Sequence, residues 1–166
     1  MALLLSFFPE AIAKPAAANN FPQYVFPMAG GGYTSAIAFD AAVSEKCQSV
    51  QFTMPTFTAP LTLRISFAIA ATTGGVDFRA QVQAIASGDA ININTTTSFD
   101  TANSSGTVSV PATTYNPKDF TITLTNNDSV VAGERVTFTL DRNVAAAGDD
   151  AAGDCFVLQV DLEDAS

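Results

Sequence analysis

The side chains that could do chemistry in this chain are carboxylates, because the sequence has no histidine and only two cysteines. Asp149, Asp150 and Asp154 share one acidic stretch, and Asp77 and Asp89 lie near predicted loop tips. Paired carboxylates can serve a glycosidase or a calcium site. This stretch lacks the ligand spacing and the distal glutamate of an EF-hand, and no pair has a catalytic spacing. We therefore expect no enzymatic activity, no metal site and no cofactor.

The missing residue types exclude further classes of function. Without histidine the chain lacks the usual general base near neutral pH and the common imidazole ligands of transition metals. It contains no GxSxG motif and no phosphate-binding loop. Seven Lys and Arg against sixteen Asp and Glu give a net charge of −9, which repels a phosphate backbone. The sequence predicts no nucleic-acid partner and no small-molecule substrate.

Arg142 is the last basic residue, and only acidic charges follow it. It stands at the end of a predicted strand, before the acidic stretch. Its guanidinium is therefore predicted to form a structural ion pair with Asp150 or Asp154 that fixes the last hairpin, the alternative being substrate binding. The acidic end itself is expected to be solvated surface, with a cation or partner site as the alternative.

Cys47 and Cys155 are 108 positions apart in the sequence. One pair of cysteines cannot define a disulfide framework. We expect two reduced, half-buried thiols that act as small apolar residues. A disulfide remains the alternative if the first and last strands are neighbours.

From residue 33 onward the main pattern is an alternation of apolar and polar residues, which is typical of strands with one buried face. It covers residues 48–54, 61–70, 76–85, 120–125, 135–140 and 156–162, and less clearly 33–39 and 107–110. Turn residues at 72–75 predict a hairpin between the second and third of these strands. About eight one-sided strands predict an all-β antiparallel sandwich of the jelly-roll type for residues 33–166. The long polar loop 87–105 is expected to be functional or packed by a neighbour.

Residues 1–32 predict an extended N-terminal arm, because a proline recurs every five to seven residues and blocks helices and central strands. No basic residue precedes the first apolar run, so we expect no secretory signal, and the run is too short to cross a membrane. The arm is nevertheless apolar, and an ordered apolar segment must pack against its own body or against a neighbouring chain. We expect the neighbour, with residues 30–32 as a flexible joint. The predicted partner-binding residues are Leu3, Leu4, Leu5, Phe7, Phe8, Ile12, Phe21, Tyr24 and Phe26.

The C-terminal half carries a pattern similar to one found in tailed-bacteriophage virion proteins. An Ala132-Gly133-Glu134 turn precedes a Val and Phe strand, and Arg142, an acidic loop and a final strand over 158–162 follow. Upstream, an acidic turn at Asp40 and the exit Met54-Pro55 resemble the opening of the same group. The similarity covers roughly residues 33–164 and departs from the group's pattern at the end of the central strand pair.

The resemblance implies a jelly-roll domain on a phage particle, such as a head decoration (cement) protein. Its expected partners are the major capsid protein and further copies of itself, with a trimer as the expected oligomer. Its expected location is the capsid surface of the virion, after assembly in the host cytoplasm. The apolar arm favours the cement function because a threaded arm adds contact area to a small footprint. The alternative is a tail or fibre-associated jelly-roll domain that binds a receptor or a carbohydrate.

Overall fold

The computed structural model of the chain describes residues 1–13, 20–26, 34–92 and 98–166. Within them the chain forms twelve β-strands and one 3-10 turn at Pro9–Ala11, so this part contains no helix long enough to span a membrane. The strands are Ala2–Phe7 (β1), Ile12–Ala13 (β2), Gln23–Val25 (β3), Ala36–Phe39 (β4), Lys46–Ser49 (β5), Phe52–Thr53 (β6), Thr62–Ile69 (β7), Gly75–Ile85 (β8), Asn103–Ser109 (β9), Lys118–Thr123 (β10), Arg135–Arg142 (β11) and Cys155–Asp164 (β12). Their pairings are antiparallel.

Eight of these strands form a jelly roll. Sheet A contains them in the order β10-β7-β12-β4, and sheet B in the order β5-β11-β8-β9. Along the chain, each connection between consecutive members of this set changes sheet, except the one from β8 to β9. This is the crossing pattern of two interlocked Greek keys. The predicted antiparallel sandwich of about eight strands is confirmed.

Two predicted hairpins are wrong. The strands β7 and β8 belong to different sheets, so the turn at 72–75 crosses from sheet A to sheet B. The last two strands also lie in different sheets. β11 pairs with β8 in sheet B, and β12 pairs with β7 in sheet A. A glycine-containing turn suits a sheet crossing as well as a hairpin, so the turn residues alone do not separate the two.

The predicted strand 48–54 is interrupted. The structure has β5 at Lys46–Ser49 and β6 at Phe52–Thr53, both paired with β11. Val50, which the alternation in residues 48–54 places on the inward face with Phe52 and Met54, is exposed, and its N–H donates to Ala11 O at 2.8 Å. The registers of β5 and β6 against β11 differ by one residue, so the ladder is offset at this point.

The core lies between the two sheets, where the inward positions of the alternating strands meet. Phe39 of β4 packs edge-on against Phe78 of β8 at 5.3 Å, and Phe67 of β7 contacts Phe120 of β10 at 5.5 Å between ring centroids. All four rings are buried. Such ring pairs contribute about 0.5–1.5 kcal/mol beyond the area they bury. Alternation in the sequence therefore identifies the faces that form the core.

The N-terminal segment adds strands to both sheets of its own chain. In sheet A, β1 pairs with β12 from Ala2 opposite Asp164 to Phe7 opposite Val160, and β3 pairs with β4. In sheet B, β2 pairs with β5. Because β7 occupies one edge of β12, β1 and β4 lie end to end along its other edge. Residues 2–7, 12–13 and 23–25 therefore pair with strands of their own body, where the sequence favoured a neighbouring chain.

The predicted boundary between arm and body lies outside the described residues. That boundary, at residues 32 and 33, falls within 27–33, as does the predicted joint at 30–32. The part of the arm that is described is built into the sandwich through backbone hydrogen bonds. The described part of the arm is therefore continuous with the two sheets of the body.

Candidate functional site

Four of the nine predicted partner-binding residues pack into the core of their own chain. Phe7 and Ile12 are buried, and Leu4 and Leu5 pack against the core from partly buried positions. The Phe7 ring lies 5.1 Å from that of Phe52 and 5.0 Å from that of Phe138. These side chains anchor the N-terminal segment and are not available to a partner in this arrangement.

Four others remain on the surface, and we call them the arm surface: Leu3, Phe8, Tyr24 and Phe26. Phe8 is 56% exposed and Phe26 is 60% exposed. Phe21 is half-buried. Together with Met1, the arm surface supplies five of the nine large apolar side chains that are exposed among the described residues. The arm is therefore anchored by one set of apolar residues and displays another.

Tyr24 is held in place by a hydrogen bond to the first turn of the chain. Its hydroxyl donates to Glu10 Oε1 at 2.9 Å, which joins β3 to the 3-10 turn. Hydrogen bonds from its own backbone, from Tyr24 and from Ser35 lower the pKa of Glu10. The same bond to Glu10 raises the pKa of Tyr24. This link keeps the segment around Phe8 next to β3.

The predicted ion pair of Arg142 exists, but with a different partner. The guanidinium binds Asp149, with Nη2 at 2.7 Å from Oδ1 and Nε at 3.0 Å from Oδ2, and not Asp150 or Asp154. The Arg142 side chain is 0% exposed and that of Asp149 is 1% exposed. Nη2 and Nη1 also donate to the carbonyls of Ala151 and Gly153, each at 3.0 Å. The ion pair of Arg142 and Asp149 fixes the connection between β11 and β12 at the end of sheet B.

Asp150 instead caps the crossing from β7 to β8. Its Oδ1 accepts a hydrogen bond from the Gly75 N–H at 2.7 Å. Gly74 has φ +91°, and a Cβ there would lie 2.7 Å from Asp150 Oδ1 and 3.0 Å from Ala151 Cα. The two crossings, from β7 to β8 and from β11 to β12, therefore meet here too closely for a side chain at Gly74.

Asp154 is exposed and lines a shallow cleft of about 100 Å³ with Asp40, Glu45, Gln23 and Ala38. The Asp40 carboxylate accepts from the backbone of Ala42, and Glu45 Oε2 accepts from the Asp40 N–H at 2.8 Å. Burial is the main reason that the pKa of Glu45 is raised. Among the described residues no group of three or more acidic or cysteine side chains is arranged to hold a metal ion.

Cys47 and Cys155 are free thiols, and both are buried. Burial raises the pKa of each. The thiolate is the reactive form of cysteine, and a raised pKa keeps both side chains as neutral thiols. These cysteines therefore act as small apolar core residues. The predicted pair of reduced thiols is confirmed, although they are fully and not half buried.

The outer face of sheet A carries a charge network centred on Arg64. The guanidinium binds Glu163 at 2.7 Å, Asp119 at 3.1 Å and Asp161. Gln159 donates to the same Asp161 carboxylate. Three carboxylates on one arginine leave this face with a net negative charge.

The outer face of sheet B is polar but closer to neutral. Arg79 and Gln81 of β8 alternate with buried apolar residues and so point away from the core. Arg79 Nε donates to Asp141 of β11 at 2.9 Å. Lys46 Nζ of β5 donates to Gln81 Oε1 at 2.6 Å. We call this surface the polar face of sheet B; sequence reasoning missed it because alternation shows only that these residues point outward.

The chain matches no protein-family model and no curated protein. Among solved structures it is similar to the carbohydrate-binding module CBM6cm-2 from Cellvibrio mixtus lichenase 5A, determined with cellotriose. That match has 14% identity and a TM-score of 0.43, and covers 99% of this chain and 100% of the module. TmCBM61, determined with β-1,4-galactotriose, is 16% identical with a TM-score of 0.37, over 81% of this chain and 73% of that one. At these identities and TM-scores, neither match assigns a function to this chain.

Proposed function

We propose that this chain is a non-catalytic structural protein of a tailed-bacteriophage particle, a capsid decoration (cement) protein that uses the arm surface to bind its partners. The observation that carries this proposal is the contrast within one short segment. Phe7 and Ile12 are buried in the core, whereas Leu3, Phe8, Tyr24 and Phe26 face solvent. The virion assignment itself comes from the resemblance of residues 33–164.

Exposed aromatic side chains on an anchored segment are suited to protein recognition. Aromatic residues dominate the binding energy of many protein interfaces because each buries a large area with few rotatable bonds. Phe8 and Phe26 each keep more than half of their surface exposed. Phe8 lies between β1 and β2, which both pair with the body, so it also loses little conformational freedom on binding.

The backbone of the arm offers a second means of contact. β3 pairs with β4, and no described strand pairs with its other edge. A neighbouring chain can add a strand at such an edge by β-augmentation. We propose the major capsid protein and further copies of this chain as partners, assembled into a trimer on the capsid surface.

The proposal is tested with a double variant, Phe8→Ser with Phe26→Ser, which removes two exposed rings and leaves Phe7 and Ile12 in place. The control is Tyr115→Ser with Val131→Ser, two exposed apolar residues outside the arm. Copies per purified particle are counted by quantitative mass spectrometry. We expect the arm variant to lose about tenfold or more occupancy and the control to keep it, since loss of two hot-spot rings costs at least one order of magnitude in affinity. Full occupancy of the arm variant, or particles that lack the wild-type chain, would contradict the proposal.

A tail or fibre-associated domain that binds a receptor or a carbohydrate is the second candidate. It is favoured by the polar face of sheet B, because hydrogen-bonding side chains on a sheet face suit a polar ligand. Copy number separates the two candidates. A number that matches the capsid lattice supports the cement function, and a number that matches a tail or its fibres supports the second candidate.

A further inference from the structure

A hydrogen bond between two side chains crosses over the middle strand of sheet B. Lys46 lies on β5 and Gln81 on β8, and β11 runs between these two strands. Lys46 Nζ donates to Gln81 Oε1 at 2.6 Å, so the bond passes above β11 on the outer face. Both side chains are half-buried. The bridge therefore covers the part of β11 beneath it.

Two residues of β11 lie beneath the bridge: Asp141, which pairs with Lys46, and Thr139, which pairs with Gln81. Thr139 pairs with Gln48 on its other side and alternates with the inward residues Phe138 and Leu140. Thr139 is 3% exposed. Its hydroxyl is the one buried side-chain oxygen without a hydrogen-bond partner in the described part of the chain. A buried hydroxyl without a partner costs stability, so its presence calls for an explanation.

The groups around Thr139 can exchange hydrogen bonds with a ligand. Gln48 carries an amide with donors and an acceptor, and Lys46 is a further donor. Gln81 offers its Oε1 as an acceptor, since its Nε2 donates to Asp100 O at 2.9 Å. Next to them, Arg79 is neutralised by Asp141 and has a side chain that is 38% exposed. The surface is a row of mixed donors and acceptors with little net charge.

We propose that the polar face of sheet B binds a polyhydroxylated chain, an oligosaccharide, across β5, β11 and β8. Hydroxyl groups of the sugar take the places that Lys46 and Gln81 now give to each other, and one of them bonds to Thr139. This inference rests on the second candidate function and not on the arm surface.

The chemistry of the face selects this ligand class over others. The core of a protein interface is usually apolar, and the outward side chains on this face include Lys46, Gln48, Arg79, Gln81 and Asp141. A phosphate backbone would face a chain of net charge −9. A neutral sugar chain satisfies donors and acceptors together: its hydroxyls replace the Gln81 bond of Lys46, while the ion pair of Arg79 with Asp141 stays intact.

The test uses the full chain on a printed array of neutral and acidic oligosaccharides, followed by calorimetric titration of the strongest binder. Thr139→Val removes the hydroxyl at nearly constant shape. The matched control is Thr121→Val, at an exposed position of β10 on the other sheet. Gln81→Met is a second variant, so the test does not depend on the folding of one protein.

We expect wild-type and Thr121→Val chains to bind the same oligosaccharide, and Thr139→Val and Gln81→Met to bind it about tenfold or more weakly. Absence of any array binding, or equal affinity of Thr139→Val and wild type, would overturn the proposal. The arm variant Phe8→Ser with Phe26→Ser is expected to keep oligosaccharide binding. Failure of the arm proposal and failure of this one therefore give different results.

Discussion

The guanidinium of Arg142 and the carboxylate of Asp149 form an ion pair that is closed off from solvent at one end of the sandwich. Their closest atoms are 2.7 Å apart, and the carbonyls of Ala151 and Gly153 accept further guanidinium hydrogen bonds. The pair joins the end of β11, in sheet B, to the loop that leads to β12, in sheet A. It therefore holds a crossing between sheets and not a hairpin.

Arg142→Met is predicted to destabilise the protein strongly. Removal of one partner leaves the buried carboxylate of Asp149 unpaired, which typically costs about 3–5 kcal/mol. The measurement is the free energy of unfolding in urea. Arg135→Met, at the exposed start of the same strand, is the control and should change it by less than about 0.5 kcal/mol. Equal effects of the two substitutions would mean that the ion pair does not support the crossing.

Phe7→Ala and Phe8→Ala are predicted to differ sharply although the residues are neighbours. The Phe7 ring lies within 5.1 Å of the rings of Phe52 and Phe138, so its removal should cost about 3–5 kcal/mol of unfolding free energy. Phe8 is exposed, and its removal should cost less than about 0.5 kcal/mol in the free chain. Thermal and urea denaturation of the two variants checks this. A stable Phe7→Ala protein would mean that the N-terminal segment is not packed on its own body.

Thr139→Val is predicted to stabilise the protein. The substitution removes a buried hydroxyl that has no hydrogen-bond partner and keeps the branched shape of the side chain. We expect the free energy of unfolding to rise by about 1 kcal/mol. Thr121→Val on β10 should have a much smaller effect, because position 121 is exposed. A clear loss of stability in Thr139→Val would show that the hydroxyl does have a partner.

The Asp164 carboxylate is predicted to stabilise the fold at neutral pH and to lose this contribution in strong acid. Hydrogen bonds from Ser166 and from the Thr58 N–H lower the pKa of its carboxyl below the ordinary 3.8. A group with a lowered folded-state pKa stabilises the fold above its unfolded-state pKa and loses that contribution as pH falls through the folded value. Asp164→Asn should therefore lower the urea midpoint near neutral pH, with a difference from wild type that shrinks in strong acid. Asp154→Asn, at an exposed position, is the control, and a pH-independent difference for Asp164→Asn would contradict the assignment.

Alternation of apolar and polar residues was enough to predict most strands of the body and the class of fold. In β7, Leu63, Ile65 and Phe67 share the buried face, as their spacing requires. The same local pattern does not say which strand becomes the neighbour, since that depends on whether a turn reverses within a sheet or crosses to the other one. This is why the strands at 61–70 and 76–85 were wrongly predicted to pair.

The core contacts of the arm and the side-chain bridge on the polar face of sheet B could not be predicted from the sequence. β1, β2 and β3 are six, two and three residues long, too short to give a clear period, so the core contacts of Phe7 and Ile12 were not predicted. The partner of Arg142 was missed because several aspartates follow within the reach of one side chain. The bridge between Lys46 and Gln81 joins residues 35 positions apart, and only the strand order brings them together.

Oxidative footprinting of purified particles tests the central claim most directly, that the arm surface is the part of this protein which binds its partners. Hydroxyl radicals modify exposed aromatic side chains, so the free chain and the particle-bound chain can be compared by mass spectrometry. Phe8 and Phe26 should be modified in the free chain and protected on the particle, while Tyr115 should be modified in both. Equal modification of Phe8 and Phe26 in the two states would contradict the account.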